Sequence, residues 1–305
     1  MNVNHSMKNK RPIQNLIVDA NNLLHRVHWV CETRGNGVNV VYLFLNSIKK
    51  YVSMFNPDNI YMAWDKRLVP GFKNFRKTDE DIDYKGNRDQ DRNKRVYDNE
   101  DITQKVTKLL GIKNVYPGVM EGDDIIAWLC ENLPGNNVIV SVDQDFLQLV
   151  QETVSVYSPI KDIHITNHNF SDLIGVDVED FLTYKALIGD KSDNIPGLPK
   201  VGEKTAKKIL KRGIDTLNTE QASILAKNLK LMNLREGYNV YDNETTLYSE
   251  QVKKLDGLEP DMKEFEQLCY SMNIRQVVSN INEWKTLFTS KEVMNNIVEK
   301  LLQSL

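Results

Sequence analysis

The sequence predicts an α/β fold: a mostly parallel central sheet flanked by helices, followed by a helical C-terminal part. Three short β-rich apolar runs each end in an aspartate: Asn15–Asp19, Ile60–Asp65 and Val138–Asp143. They lack clean alternation, as strands buried on both faces do. Strand-like and helix-like runs alternate from Asn15 to about Tyr157, the pattern of βα units. After about residue 177 the pattern turns helical, with short Gly/Pro turns.

The elements follow in order. The first strand ends at Asp19; a helix is predicted over Val40–Phe55 and a strand over Ile60–Asp65. Ile112–Tyr116 reads as a strand, and the apolar period of Ile125, Ile126, Trp128 and Leu129 as a helix from about Gly122 to Asn132. A further strand ends at Asp143, and a short helix runs from about Gln144 to Gln151. Ser158–Asp162, between β-like runs, suggests a hairpin. His164 and His168 on such a strand would lie about 13 Å apart, too far for a joint metal site. Phe181–Ile188 reads as a helix. Residues 66–105 break the alternation, with eleven Lys/Arg, nine Asp/Glu and few apolar anchors. Such an insertion is not core; it reads as a mobile loop or a surface helical arch, with solvated linker as the plain alternative. Two units are expected: 13–176, including the insertion, and 177–290.

The chain of 305 residues is 41% hydrophobic and 27% charged, an ordinary soluble globular composition. The net charge of −3 conceals an uneven distribution. Segment 185–212 carries eight Lys/Arg against three Asp/Glu. An acidic site beside a basic patch suits a protein that binds polyanions and cuts them with metal. Cys31, Cys130 and Cys269 are far apart and form no CxxC pair, so neither a disulfide framework nor a zinc ribbon is expected. No apolar leader segment and no run of 18 apolar residues occurs, so no membrane contact and a cytoplasmic location are expected.

The acids carry the chemistry. Glu121, Asp123 and Asp124 stand just before an apolar-periodic helix, with Glu121 and Asp124 spaced to share one face. Helix capping explains one or two acids there; three in four positions favours a metal role. Asp143 and Asp145 alternate after a strand, projecting to one side if the backbone stays extended, with an Asx turn as the alternative. Asp190 and Asp193 repeat the three-residue spacing; alone they favour a cap and a solvated loop. Together with Asp19 and Asp65 these make nine acids without a His or Cys partner, a donor set for hard cations, Mg²⁺ or Mn²⁺. Two carboxylates about 4 Å apart repel by roughly 4 kcal/mol at an effective dielectric of 20. Nine exceed what one Mg²⁺ takes, so two ions are expected, the arrangement of phosphodiester hydrolysis.

Gly197–Leu210 is the other strong signal. It resembles a P-loop, but Glu203 stands where the P-loop lysine must follow the second glycine, and no strand is predicted before Gly197. A glycine-rich turn opening a helix still presents N–H groups to a phosphate. With Lys200, Gly202, Lys204 and Thr205, and Lys207 and Lys208 beside them, it reads as a sequence-independent clamp on a nucleic-acid backbone. Tyr84, Lys85 and Arg88 in the insertion combine an aromatic ring with two cations, a weaker signal of the same kind.

The combination resembles the flap endonuclease / 5′–3′ exonuclease family, which includes the nuclease domain of bacterial DNA polymerase I and stand-alone phage enzymes. The matching pieces are Ile17-Val-Asp19, Trp64-Asp65-Lys66, Tyr84-Lys-Gly-Asn-Arg88, Glu121-Gly-Asp-Asp124, Ser141-Val-Asp-Gln-Asp145, Gly189-Asp-Lys-Ser-Asp-Asn194 and Gly197-Leu-Pro-Lys-Val-Gly202, in the family's order. The resemblance implies a PIN-like nuclease core and a stand-alone, monomeric enzyme. Asp19, Asp65, Glu121, Asp123 and Asp124 would build the first metal site; Asp143, Asp145, Asp190 and Asp193 would build or approach the second. Lys85 and Arg88 would contact the scissile phosphate and Tyr84 would stack on a terminal base. The insertion would be an arch, and 197–205 a helix–three-turn–helix gripping duplex DNA, with K⁺ held by its turn carbonyls. The implied activity is metal-dependent cutting near a 5′ end or flap, with RNA–DNA hybrids among the substrates, in replication and repair. The alternatives are a non-catalytic DNA-junction binding module and a single-strand ribonuclease on a related fold.

Overall fold

The computed structural model describes residues 12–34, 39–65, 75–77, 84–86 and 95–289. Six strands form the main sheet: β1 (Asn15–Asp19), β2 (Asn59–Ala63), β3 (Lys113–Val115), β4 (Asn137–Val140), β5 (Val154–Ser158) and β6 (Ile163–Ile165). Their order is β3-β2-β1-β4-β5-β6. All neighbours pair parallel except β5 and β6, the predicted hairpin. Strand order reverses between β1 and β4, and the crevice at such a switch point is where open α/β sheets bind ligands.

Burial on both sides of the sheet follows from the period of two. Ile17 and Ile139 face one core; Leu16, Val18, Val138 and Val140 face the other. The first core is shared with the helices Gly122–Asn132, Val178–Ile188 and Thr219–Met232. The second is closed by the helices Ala20–Arg34, Val40–Phe55 and Glu100–Leu109. Phe265, Cys269, Trp284 and Phe288 pack onto that same second core. The expected 177–290 unit is therefore split in space: its last helices return to the face first covered by the chain's N-terminal helices. Where the 262–288 helices meet that face, the Asp261 N–H bonds the Leu109 carbonyl and Glu283 pairs with Lys49 at 2.6 Å.

Several predicted boundaries shift. β2 ends at Ala63 and β4 at Val140, so Asp65 and Asp143 lie in the loops beyond. The 144–151 helix is a 3₁₀ turn, Asp145–Leu149. A two-residue strand, β8 (Ile195–Pro196), does precede Gly197, pairing antiparallel with β7 (Gly189–Asp190). The insertion is not wholly peripheral: Arg76, Tyr84 and Val96 are buried. Most of 66–94, Arg88 included, lies outside the described residues. Among the described residues no helix is long and apolar enough to cross a membrane, and Cys31, Cys130 and Cys269 form no disulfide.

Candidate active site

The switch point collects carboxylates from four segments. Asp19 closes β1, and its two oxygens accept from the Asn22 N–H at 3.0 Å and the Ser141 hydroxyl at 2.8 Å. Ser141 follows β4 and also accepts the Asp143 N–H at 3.0 Å, so one hydroxyl joins both sides of the crevice. Asp65 Oδ1 accepts the Gly122 N–H at 2.7 Å, and the Asp65 N–H donates to Asn21 Oδ1 at 2.8 Å. A Cβ on Gly122 would stand 3.1 Å from that Asp65 oxygen, so glycine lets the helix start press against it. Asp123, one residue on, feels the charges of Asp19, Asp143 and Asp65.

Burial and crowding leave Asp19, Asp123 and Asp145 protonation-prone. Burial, with the charges of Asp65 and Asp143 added, pushes Asp19 up to about 7 against its two hydrogen bonds. Burial pushes Asp123 well above the usual carboxylate range, although Lys85 pulls it down. Asp145 rises to about 6 through burial and the Asp143 charge, despite Lys185. Glu121 behaves oppositely: burial would raise it, but Lys85 and then Arg76 hold it at about 2. Lys85 Nζ lies 2.9 Å from Glu121 Oε2, and the Tyr84 hydroxyl lies 3.1 Å from Glu121 and from Asp193.

Among the described residues, no three of these side chains converge into a finished ion cage. The donor chemistry nevertheless fits a hard cation: carboxylates with mutually raised pKa values, and no His or Cys among them. The Asn21 Nδ2 beside Asp65 is buried without a hydrogen-bond partner. Asp19, Asp65, Asp123 and Asp143 form the inner group. Asp145 and Asp190 lie to one side, bridged by Lys185, and Asp193 is reached through Tyr84.

Residues 14–175 match the family described as 5′–3′ exonuclease, N-terminal resolvase-like domain, more than half of the chain. The chain belongs to the 5′–3′ exonuclease family. Residues 176–272 match the family's C-terminal SAM fold. A 5′–3′ exonuclease of Buchnera aphidicola subsp. Schizaphis graminum is 30% identical, over 82% of this chain and 96% of its own length. One from Mycoplasmopsis pulmonis is 27% identical over 95% of both chains. A flap endonuclease of bacteriophage T5, solved with DNA and metal ions, shares the fold at a TM-score of 0.66 and 20% identity, over 79% of this chain and 98% of that one.

Two predicted site residues of this exonuclease-family chain are engaged by partners within the protein. Asp124 is fully buried: Arg76 grips both its oxygens, at 2.8 and 2.9 Å, and it accepts the Glu121 N–H at 3.1 Å. The capping reading therefore holds for Asp124, because its charge is already matched. Tyr84 is only 7% exposed, with Lys85 Nζ 5.0 Å above its ring, so it offers no open face to a base in this arrangement. Lys200, Gly202, Lys204 and Thr205 are exposed at or just before the start of the Glu203–Arg212 helix.

Four further residues take part that have no individual role in the sequence analysis. Ser141 stands two before Asp143, a spacing that could have marked it. Arg76, Lys185 and Glu244 have partners far along the chain, which no local pattern reveals. Glu244, 3% exposed, accepts the N–H groups of Gly118 and Val119 at 3.1 and 2.8 Å and holds the loop that leads into Glu121.

Proposed function

We propose that this chain is a structure-specific 5′ nuclease that hydrolyses phosphodiesters in DNA near a 5′ end or flap, using Mg²⁺ with Mn²⁺ as substitute. The observation that carries the reading is the inner group, Asp19, Asp65, Asp123 and Asp143, at the sheet's switch point with Lys85 beside it. Divalent ions held by this group and by Asp143, Asp145, Asp190 and Asp193 would supply water activation and leaving-group stabilisation. Lys85 then exchanges Glu121 for a phosphate oxygen and orients it. The Glu203–Arg212 helix start offers N–H groups to the duplex backbone, flanked by Lys200 and Lys204. A Cβ on Gly202 would meet nothing of the chain within 4 Å, so internal packing does not require glycine there. Clearance for an approaching DNA backbone does. K⁺ at the 197–202 turn, action on RNA–DNA hybrids, a monomeric state and a cytoplasmic location complete the proposal.

The test is cleavage of a 5′-labelled flap duplex with Mg²⁺ and with EDTA. Metal-dependent products ending near the junction support the proposal. A retained gel shift without cleavage would leave a junction-binding module. Cutting of single-stranded RNA in preference to the flap would favour the ribonuclease alternative.

A further inference from the structure

Lys185 belongs to the last turn of the Val178–Ile188 helix, just before β7. Its ammonium lies 2.9 Å from Asp145 Oδ1 and 2.5 Å from Asp190 Oδ2. The three side chains are 13%, 19% and 12% exposed. The other Asp190 oxygen accepts the Ser192 N–H at 2.7 Å, and the Asp145 N–H donates to Asp143 at 2.9 Å. The trio is thus nearly enclosed and linked by backbone to the inner carboxylates.

We infer that Lys185 is a resident cation at the second ion position, so that a divalent ion takes Asp145 and Asp190 only when this ammonium moves out. The inference rests on the metal-dependent reading above. An ammonium within hydrogen-bond distance of both carboxylates already offsets one of their two charges and fills the gap between them, and like charges disfavour a second cation in the same gap. A lysine is suited to such a role: a compact charge on a flexible stem, free of the octahedral demands of Mg²⁺. The two positions therefore fill in order. The inner group takes an ion first; the outer one follows when a phosphate oxygen draws the Lys185 ammonium away. Full ion loading is then tied to the arrival of an anionic substrate.

The experiment is calorimetric titration of the DNA-free full chain with Ca²⁺. Wild type is expected to bind one ion and a second more weakly, and Lys185→Met to tighten the second by about tenfold or more. Lys185→Arg, which keeps the charge, should leave the second ion weak. An unchanged or weakened second ion in Lys185→Met overturns the inference while leaving the metal reading intact; a wild-type chain that takes up no ion overturns both. Should Lys185→Met fail to fold, wild type still decides. Acylation of the Lys185 amine, read by mass spectrometry, should rise as Ca²⁺ fills the second position, and flat or falling labelling overturns the inference.

Discussion

Arg76 and Asp124, 48 positions apart, form a bidentate ion pair with N–O distances of 2.8 and 2.9 Å. Arg76 Nε also donates to the Leu231 carbonyl at 3.0 Å. One guanidinium therefore joins the insertion, the Gly122–Asn132 helix and the Thr219–Met232 helix. Removing either charge leaves the other buried, at a cost of about 3–5 kcal/mol. Asp124→Asn is expected to lower the urea midpoint markedly while Ca²⁺ binding to the folded protein persists. A loss of ion binding at full stability would return Asp124 to the metal site.

Arg76→Lys tests the geometry of the same junction. A lysine keeps the charge but loses the fork that meets both Asp124 oxygens and the Leu231 carbonyl. Chemical denaturation should show a loss of about 1–3 kcal/mol.

The pH dependence has a defined sign. Asp19 titrates at about 7 in the fold, against an ordinary value of 3.8. The folded chain without ions therefore keeps a proton that the unfolded chain releases. Stability in EDTA should fall as pH rises between those values, by at most about 1.4 kcal/mol per pH unit from this group, and level off above. Thermal melts of wild type and Asp19→Asn check this; the variant should lose that part of the slope.

Lys200 and Lys204 lie exposed beside the open flank of Gly202. Replacing both with Ala should weaken duplex binding and reduce the slope of log K against log salt by roughly 2. An unchanged slope in a gel-shift series would count against the clamp.

Glu244 makes the C-terminal helices part of the active-site edge. Glu244→Ala strands the Gly118 and Val119 N–H groups and the Tyr248 hydroxyl. A stability loss of about 1–3 kcal/mol is expected. Flap cleavage should fall more than duplex binding, because the loop into Glu121 loosens.

What was legible in the sequence was local. The helices at Val40–Phe55 and Gly122–Asn132 match their predicted bounds, because apolar period and end signals lie within the segment itself. The aspartates at the end of β1 and just beyond β2 and β4 lie at one edge of the sheet, since parallel strands end together. The Arg76 partner of Asp124 was not legible, because it comes from a charge-dense insertion whose composition reads as solvent-exposed. Lys185 was counted in a basic patch; its helix aims it at Asp145 instead, a contact that sequence spacing cannot express. The return of Phe265 and Trp284 to the N-terminal core was invisible for the same reason.

That return decides what can be inherited separately. The helices from Val178 to Met232 pack into the first core, and the chain then crosses to cover the second core from Met262. They are part of the folded body, not an appendage. A graft carrying residues 13–176 alone would bare the side of the sheet that Phe265, Trp284 and Phe288 cover. Recombination can exchange the helices from Val178 to Met232 only if the closing helices stay with the sheet they cover.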